Sequence, residues 1–190
     1  MRKSFALVLL ALVLALTGCA SLPTGVERKA SAHSDRDGDS SHIASNTAPY
    51  LRKHPGKSGF WLLGDGHDAF AARVLLAEAA QRTIDVQYYL YHNDLTGRVL
   101  TNSLLRAADR GVRVRLLLDD MATKGIDSQL AALDSHPSFE VRIVNPYANR
   151  GFRALETLTR FDSVTRRMHN KSFSVDNAII IVGGRNVGDE

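Results

Sequence analysis

The chain has 190 residues, a formal net charge of +4 and a single cysteine. This length supports one domain with a hydrophobic core more readily than two, and a lone cysteine excludes an internal disulfide. The small positive charge does not by itself indicate a nucleic-acid-binding protein.

The first residues, MRKSFALVLLALVLALTGCA, are organised like a secretory signal. Arg2 and Lys3 form a positively charged start, and the apolar run 5–16 is short for a membrane-spanning helix. The four residues ending in Cys19 resemble a bacterial lipobox, which implies cleavage after residue 18 and lipidation of Cys19. An uncleaved membrane anchor is the alternative. Cleavage would lower the net charge to +2, because Arg2 and Lys3 are the only charged residues removed.

Residues 19–53 are predicted to be a flexible tether, because their central part, SAHSDRDGDSSHIASNT, is rich in Ser and Asp and almost free of large apolar residues. With lipidated Cys19 as the anchor, the predicted location is the bacterial cell envelope, on the periplasmic side. Ala20 stands where an aspartate would resemble an inner-membrane retention signal, so the outer membrane is slightly favoured.

Residues 54–190 are predicted to form one α/β domain with a mainly parallel mixed sheet flanked by helices. The predicted elements are a short strand and turn at 58–66, helices at 67–82, 94–110 and 126–134, and strands at 83–91, 112–120 and 139–144. The strands at 83–91 and 112–120 should be parallel, because a helix connects them. The residues of the first helix expected to face the core are Phe70, Val74, Leu75 and Ala79.

An arginine-bearing connection at 145–168 interrupts this alternation, and its arginines are expected to meet either lipid head groups or solvent. Two further strands, KSFSV and AIIIVG, follow it. A tight turn at Asp176–Asn177 is predicted to join them.

The stretch HNKSFSVDNAIIIVGGRN, residues 169–186, gathers side chains suited to phosphate chemistry. Alternation along an extended chain places His169 and Lys171 on the same side. The imidazole is a nucleophile, and the ammonium is a compact positive charge for a phosphate oxygen. Asn186 adds an amide, and the glycine pair ending at Gly184 lets a phosphate approach the backbone closely.

Asp176 could fix the geometry of this stretch or bind a basic neighbour. No second histidine or carboxylate stands at ligand spacing, so the sequence predicts neither a metal site nor a cofactor. The pattern suits metal-free attack on a phosphodiester, with charge held by fixed donors.

The pattern His-x-Lys-x4-Asp, followed by Gly-x-x-Asn, resembles the signature of the phospholipase D superfamily. Position 184 is glycine where the common form has serine, which removes one hydroxyl donor to phosphate. The stretches HPGKSGFWLLGDGHDAFAAR, DVQYYLYHND, GVRVRLLLDD and RRMHNKSFSVDNAIIIVGGRNVGDE extend the resemblance over residues 54–190, to the N-terminal half of a bacterial cardiolipin synthase-like lipoprotein.

The resemblance implies a catalytic set of His169, Lys171 and Asp176. His169 would form a phosphohistidine intermediate or protonate the leaving alcohol. Lys171, Asn186 and Gly184 would hold the phosphate, and Asp176 would support the site. Water as acceptor gives phospholipase activity, and a lipid alcohol gives phosphatidyl transfer, with a membrane phospholipid as substrate.

Sites of this superfamily use two such motifs, whereas this sequence contains one. The histidines at 54, 67, 92 and 136 lack a lysine two residues later. The abrupt end after an apolar strand favours a truncated two-motif enzyme. A homodimer in which each copy gives one motif is the alternative.

Two other functions stay open at this point. One is a metal-independent dimeric nuclease-like phosphodiesterase, although the low mature charge speaks against nucleic acid as a partner. The other is a catalytically silent truncated lipoprotein. Asp94, Asp119 and Asp120 are predicted to be loop and capping residues rather than catalysts.

Overall fold

The computed structural model describes residues 40–148, 153, 161 and 165–189. The signal-like segment, Cys19 and much of the arginine-bearing connection lie outside these ranges, so what was expected of them stays a prediction. The chain forms two compact units. Of the described residues, the larger unit takes in 40–144 and 168–189 and contains the sheet, whereas those between 145 and 167 belong to the smaller.

The larger unit alternates helices and strands. Its helices are α1 (His42–Lys53), α2 (Gly66–Ala79), α3 (Leu95–Asp109) and α4 (Asp127–Asp134). Its strands are β1 (Thr83–Tyr88), β2 (Arg113–Asp119), β3 (Phe139–Val144), β4 (Lys171–Val175) and β5 (Ile179–Val182). A 3-10 turn, Asp120–Ala122, follows β2.

The five strands form one sheet in the order β3-β2-β1-β4-β5. β1, β2 and β3 pair in parallel, whereas β4 is antiparallel to both of its neighbours, β1 and β5. Four strands therefore run in one direction and β4 runs in the other. This arrangement confirms the predicted α/β class with a mainly parallel mixed sheet.

One face of the sheet supplies most of the hydrophobic core. Alternate residues of the three central strands are almost fully buried on it, namely Ile84, Val86, Tyr88, Val114, Leu116, Leu118, Phe173 and Val175. They pack in one cluster with Leu100 and Leu104 of α3. Burial of this many large side chains is the main favourable contribution to the stability of the unit.

The predicted turn between β4 and β5 is confirmed. Asp176 and Asn177 have φ angles of 51° and 52°. Positive φ at both central residues is the condition for a β-turn of type I′, and Asp and Asn tolerate it better than most residues.

The prediction of a flexible tether over 19–53 is wrong for its last twelve residues, which form α1. The Ser41 hydroxyl accepts a hydrogen bond from the Ala44 N–H at 3.1 Å, which caps the helix. Ile43, only 7% exposed, joins the core cluster. One cap and one docked side chain stabilise a helix that composition alone does not indicate.

The predicted strand within 58–66 is also wrong. Residues 57–64 form neither helix nor strand, and the apolar side chains at 60–62 face solvent. A strand needs a hydrogen-bonded neighbour for its backbone groups. Residues 57–64 pair with neither of the edge strands of the described sheet, β3 and β5.

Helix α2 buries a different stripe from the predicted one. Phe70 and Val74 are half-buried against the core, but Leu75 is 67% exposed and Ala79 is exposed. Arg73, only 6% exposed, is buried instead. In the described residues no helix is both long and apolar enough to cross a membrane.

Candidate active site

β4 begins on the side of the sheet where the parallel strands end. Around this site, 'edge' means one of the two sides of the sheet at which the strands begin or end, and not an edge strand such as β3 or β5. Because β4 is antiparallel to β1, its first residue Lys171 pairs with Tyr88, the last residue of β1. The carboxyl ends of β1, β2 and β3 therefore meet the segment that carries His169. This edge is where α/β folds commonly assemble their functional groups.

His169 and Lys171 are in direct contact at this edge. The Lys171 Nζ lies 3.2 Å from the His169 Nε2 and 3.3 Å from its carbonyl oxygen. Lys171 is only 8% exposed, whereas His169 is exposed. An ammonium has donors only, so its contact with Nε2 uses the lone pair there, and a neutral imidazole then carries its proton on Nδ1. The predicted same-side placement of the two residues is confirmed.

Tyr89 completes the surroundings of this pair. Its ring centroid lies 4.8 Å from that of His169, and the Lys171 ammonium lies 5.3 Å from the same tyrosine ring. An aromatic face at this distance attracts a cation. Tyr89 therefore supports both residues, and the sequence pattern did not single it out.

Two neighbouring strands hold the backbone on either side of His169. The Asp119 carboxylate, fully buried at the end of β2, accepts hydrogen bonds from the N–H groups of Met168 and Met121 at 2.9 Å each. The Asn170 carbonyl accepts from the Tyr89 N–H at 3.0 Å. Asp119 was predicted to be a capping residue, and it does cap the 3-10 turn. The sequence did not predict the hydrogen bond between Asp119 and Met168, the residue before His169, because the two residues lie 49 positions apart.

The loop Gly183–Asp189 crosses this edge of the sheet and carries the predicted phosphate-binding residues. Val187 is tied to the segment after β1, since its N–H donates to the Leu90 carbonyl at 3.2 Å and its carbonyl accepts from the His92 N–H at 2.9 Å. Asn186 precedes it and is exposed. A Cβ added at Gly184 would meet no atom within 4 Å, so the space beside it is open to a ligand.

The end of this loop is fixed to α3 by two aspartates. The Asp189 carboxylate accepts from the Leu95 and Thr96 N–H groups at 3.3 and 2.8 Å, and the Asp189 N–H donates to Asp94 at 2.8 Å. Hydrogen bonds from Thr96 lower the pKa of Asp189. Asp94 also caps α3 through the Gly97 N–H, which confirms its predicted role.

The structure does not bring Asp176 to His169 and Lys171. Asp176 follows the last residue of β4, at the opposite edge of the sheet, about 17 Å along the strand from Lys171. Its buried carboxylate accepts hydrogen bonds from the N–H groups of Gln81, Arg82 and Thr83 at 2.8 to 3.3 Å. This position corrects the expectation of a place in the catalytic set and fits the alternative that Asp176 fixes the local geometry.

Comparison with known families agrees with this geometry. A family model described as cardiolipin synthase, PLD-like domain, matches residues 75–190, which is more than half of the chain and includes every residue of the motif. The chain belongs to this phospholipase D-like family.

Relatives of this phospholipase D-like chain include named cardiolipin synthases. It is 54% identical over 147 residues to cardiolipin synthase C of Escherichia coli, covering 77% of this chain and 31% of that protein. It is 30% identical over 131 residues to cardiolipin synthase of Staphylococcus aureus, covering 66% of this chain and 24% of that protein. An uncharacterized Helicobacter pylori protein is 46% identical over 149 residues, covering 77% and 30%. The chain thus spans about a third or less of these relatives.

Two solved structures are similar to the phospholipase D-like chain. NucT from Helicobacter pylori aligns with a TM-score of 0.46 at 18% identity, covering 67% of this chain and 72% of NucT. The phospholipase D family member Nuc from Salmonella typhimurium aligns with a TM-score of 0.43 at 17% identity, covering 63% and 64%.

Arg73 adds a buried cation to the same edge of the phospholipase D-like sheet. Its Nε donates to the Tyr88 hydroxyl at 2.6 Å, and Tyr88 pairs across the sheet with Lys171. Burial raises the pKa of Tyr88, and the neighbouring guanidinium opposes that rise. The helical pattern of α2 gave no signal for Arg73, because an arginine on an amphipathic helix is usually solvated.

A cavity of about 500 Å³ opens between α3, α4 and β2, but neither His169 nor Lys171 lines it. Within the ranges that the structure describes, no three His, Cys, Asp or Glu side chains are grouped closely enough to hold a metal ion. The motif edge offers cationic and amide donors, which suit a phosphate group rather than a cation.

Proposed function

We propose that this chain provides one catalytic half of a phospholipase D-type enzyme that acts on membrane phospholipids, as a phosphodiesterase or phosphatidyltransferase, through a phosphohistidine intermediate. The observation that carries the proposal is the contact between the Lys171 ammonium and the His169 Nε2, at the strand ends and beside an open loop. The named cardiolipin synthases among the relatives support a phospholipid as the substrate.

In the first step, Nε2 of His169 attacks the phosphorus of the phosphodiester. A new N–P bond forms, and the bond to the leaving alcohol breaks. The lone pair of Nε2 is engaged by Lys171 in the free protein, so an incoming phosphate oxygen must take over the ammonium before attack. Lys171, the Asn186 amide and the open backbone at Gly184 would then hold the nonbridging oxygens.

The leaving oxygen needs a proton, and an acid on the far side of the phosphorus would supply it. We propose that a second motif, in the missing C-terminal half of a two-motif enzyme or on another copy of this chain, carries that acid. In the second step, water or a lipid alcohol attacks the phosphorus, and the N–P bond to His169 breaks. The acceptor loses its proton to the same acid–base group.

The test follows labelled phosphatidylglycerol after incubation with the purified chain. We expect a phosphorylated peptide containing His169 after an alkaline quench, because a phosphohistidine survives alkali. Phosphatidic acid among the products would indicate water as acceptor, and cardiolipin would indicate a lipid alcohol. The His169→Ala variant should give neither peptide nor product.

The matched control is His54→Ala, which removes an exposed histidine just after α1. It should leave labelling and turnover unchanged. Turnover by His169→Ala at the wild-type rate would contradict the assignment of His169. Cleavage of DNA without turnover of phosphatidylglycerol would replace the phospholipid by a nucleic acid as substrate.

We further propose that Cys19 is lipidated and anchors the chain in the bacterial envelope on the periplasmic side. The support is the order of charged start, short apolar run and lipobox-like residues. Metabolic labelling with a fatty-acid probe should mark the wild type and not Cys19→Ser. Equal labelling of the two would contradict the proposal.

A further inference from the structure

Three consecutive large apolar side chains between α1 and α2 face solvent almost completely. Phe60 is 95% exposed, Trp61 is 88% exposed and Leu62 is 91% exposed. Single exposed apolar residues are ordinary on protein surfaces, but a contiguous group of this size marks a surface that binds something. We call these three residues the apolar tip.

The apolar tip projects from the protein rather than lying along it. All three neighbouring side chains are exposed, so none of them rests on the protein. The backbone on both sides of the tip is also open, because a Cβ added at Gly59 or Gly64 would meet no atom within 4 Å. A flat protein partner would cover one side of such a segment, whereas a lipid layer can surround it on all sides.

The charge on the N-terminal side of the apolar tip has one sign, whereas Asp65, the N-cap of α2, follows the tip on its other side. The segment YLRKHPGKSGFWLLG, residues 50–64, contains Arg52, Lys53 and Lys57 and no acidic residue. These three cations are exposed. Cations beside Trp and Phe are the composition of segments that lie in the interface of anionic membranes.

The apolar tip is connected to the candidate active site. The Arg185 Nη2 donates a hydrogen bond to the Gly64 carbonyl at 2.6 Å, two residues after Leu62. Arg185 directly precedes Asn186 in the loop that crosses the strand ends. A surface bound by the tip therefore meets the molecule beside that loop.

We propose that the apolar tip inserts into the surface of a membrane that contains anionic lipids. The aromatic and aliphatic side chains enter the head-group and acyl boundary, while Lys53 and Lys57 contact the anionic head groups. The tip is a second membrane contact, separate from Cys19, and it orients the strand ends toward the lipid. This inference concerns binding and does not depend on the proposed reaction.

The test uses the only tryptophan of the chain, which is Trp61 in the tip itself. The purified chain is mixed with vesicles of equimolar phosphatidylglycerol and phosphatidylcholine, with bromine on the acyl chains of the phosphatidylcholine. We expect the Trp61 emission to shift to shorter wavelength and to lose most of its intensity. Because the probe is local, a lipid anchor elsewhere in the chain cannot imitate this result.

Three variants complete the test. Phe60→Ser with Leu62→Ser should abolish the quenching, and Lys53→Glu with Lys57→Glu should weaken it on anionic vesicles. The matched control is Leu75→Ser, which changes a 67% exposed leucine on α2 and should quench like the wild type.

Two results would overturn the inference. One is unquenched Trp61 on vesicles to which the chain is bound. The other is a wavelength shift that grows with protein concentration in the absence of lipid, which would assign the apolar tip to a protein–protein contact. Phosphatidylglycerol in detergent micelles tests the reaction separately. Turnover there without quenching on vesicles would leave the proposed function standing and remove only the membrane contact.

Discussion

Lys171 has two successive partners in the proposed reaction. In the free protein its ammonium contacts the nucleophilic nitrogen of His169 and is 8% exposed. A phosphodiester brings stronger, charged acceptors for the same donor. In the proposed reaction the lysine would therefore engage the imidazole lone pair before the substrate arrives and release it when the phosphate binds.

At the scale of one residue, Gly184 offers a direct test of the proposed phosphate contact of the loop Gly183–Asp189. We expect Gly184→Ser to lower the KM for phosphatidylglycerol, because the hydroxyl adds a donor in open space. The free energy of unfolding should change by no more than about 0.5 kcal/mol. Gly183→Ser, also in open space, is the control. Equal KM values for the two variants and the wild type would exclude a phosphate contact at position 184.

Asp176 is expected to matter for stability rather than for chemistry. In Asp176→Asn the new residue also tolerates the positive φ at this position. An amide, however, replaces the carboxylate that accepts hydrogen bonds from three N–H groups. We expect a loss of about 1–3 kcal/mol in the free energy of unfolding, measured by urea denaturation. The phosphohistidine yield of the folded fraction should stay at the wild-type level. A stable variant that loses labelling would return Asp176 to the catalytic set.

The spacing of His169 and Lys171 could be predicted from the sequence because both lie in one short segment, where local geometry sets their relation. The distant contacts of Asp119, Tyr89 and Arg73 could not, because they depend on which strands are neighbours. The position of Asp176 could not be predicted from the motif, because a motif gives spacing along the chain and not proximity in space. Its five-residue separation from Lys171 is one strand length, which takes the carboxylate to the far edge of the sheet.

At the scale of elements, two helices depend on carboxylates at their N-termini. Asp65 caps α2, and hydrogen bonds from the Asp68 and His67 N–H groups lower its pKa. The Thr96 contacts lower the pKa of Asp189 at the start of α3. A lowered pKa means that the ionised form stabilises the fold above the ordinary value of 3.8. That stabilisation is lost as the pH falls through the lowered pKa.

The corresponding prediction uses Asp65→Asn combined with Asp189→Asn. Asparagine still caps a helix but does not titrate in this range. Between about pH 5 and about pH 3, the urea midpoint should fall less in the double variant than in the wild type. The two proteins should converge at the acidic end. Parallel curves across this range would show that neither cap depends on ionisation.

The elements with regular apolar periods were predicted within a few residues, as α3, β2 and β3 show. α1 was missed because it has one buried apolar residue, Ile43, and contains Pro49, which normally argues against a helix interior. The apolar residues of the stretch 58–66 predict a strand that the structure does not form. A run of apolar residues indicates side chains whose burial would be favourable, but it does not show whether the fold of this chain buries them.

At the scale of the molecule, β5 presents an edge with apolar side chains. In the described sheet β5 pairs only with β4, and Ile180 and Val182 are 59% and 66% exposed. An unpaired edge with this composition favours pairing with another chain. We therefore expect the apparent mass in solution to rise with protein concentration.

Ile180→Lys with Val182→Lys should reduce that association, because lysines on an edge strand oppose pairing. The urea midpoint should change little, since both side chains are exposed. Leu75→Lys is the control and should associate like the wild type. Light scattering across a concentration series measures the effect, and unchanged association of the β5 variant would assign it to another surface.

The position of β4 beside β1 has a consequence for folding. β1, β2 and β3 follow one another along the chain, but the other side of β1 pairs with Lys171–Val175, a strand that begins 83 positions after β1 ends. Bringing such distant segments together costs more chain entropy than pairing neighbouring strands. Until β4 arrives, a strand in the middle of the final sheet has an open side. We therefore expect the pairing of β4 with β1 to be a late step of folding.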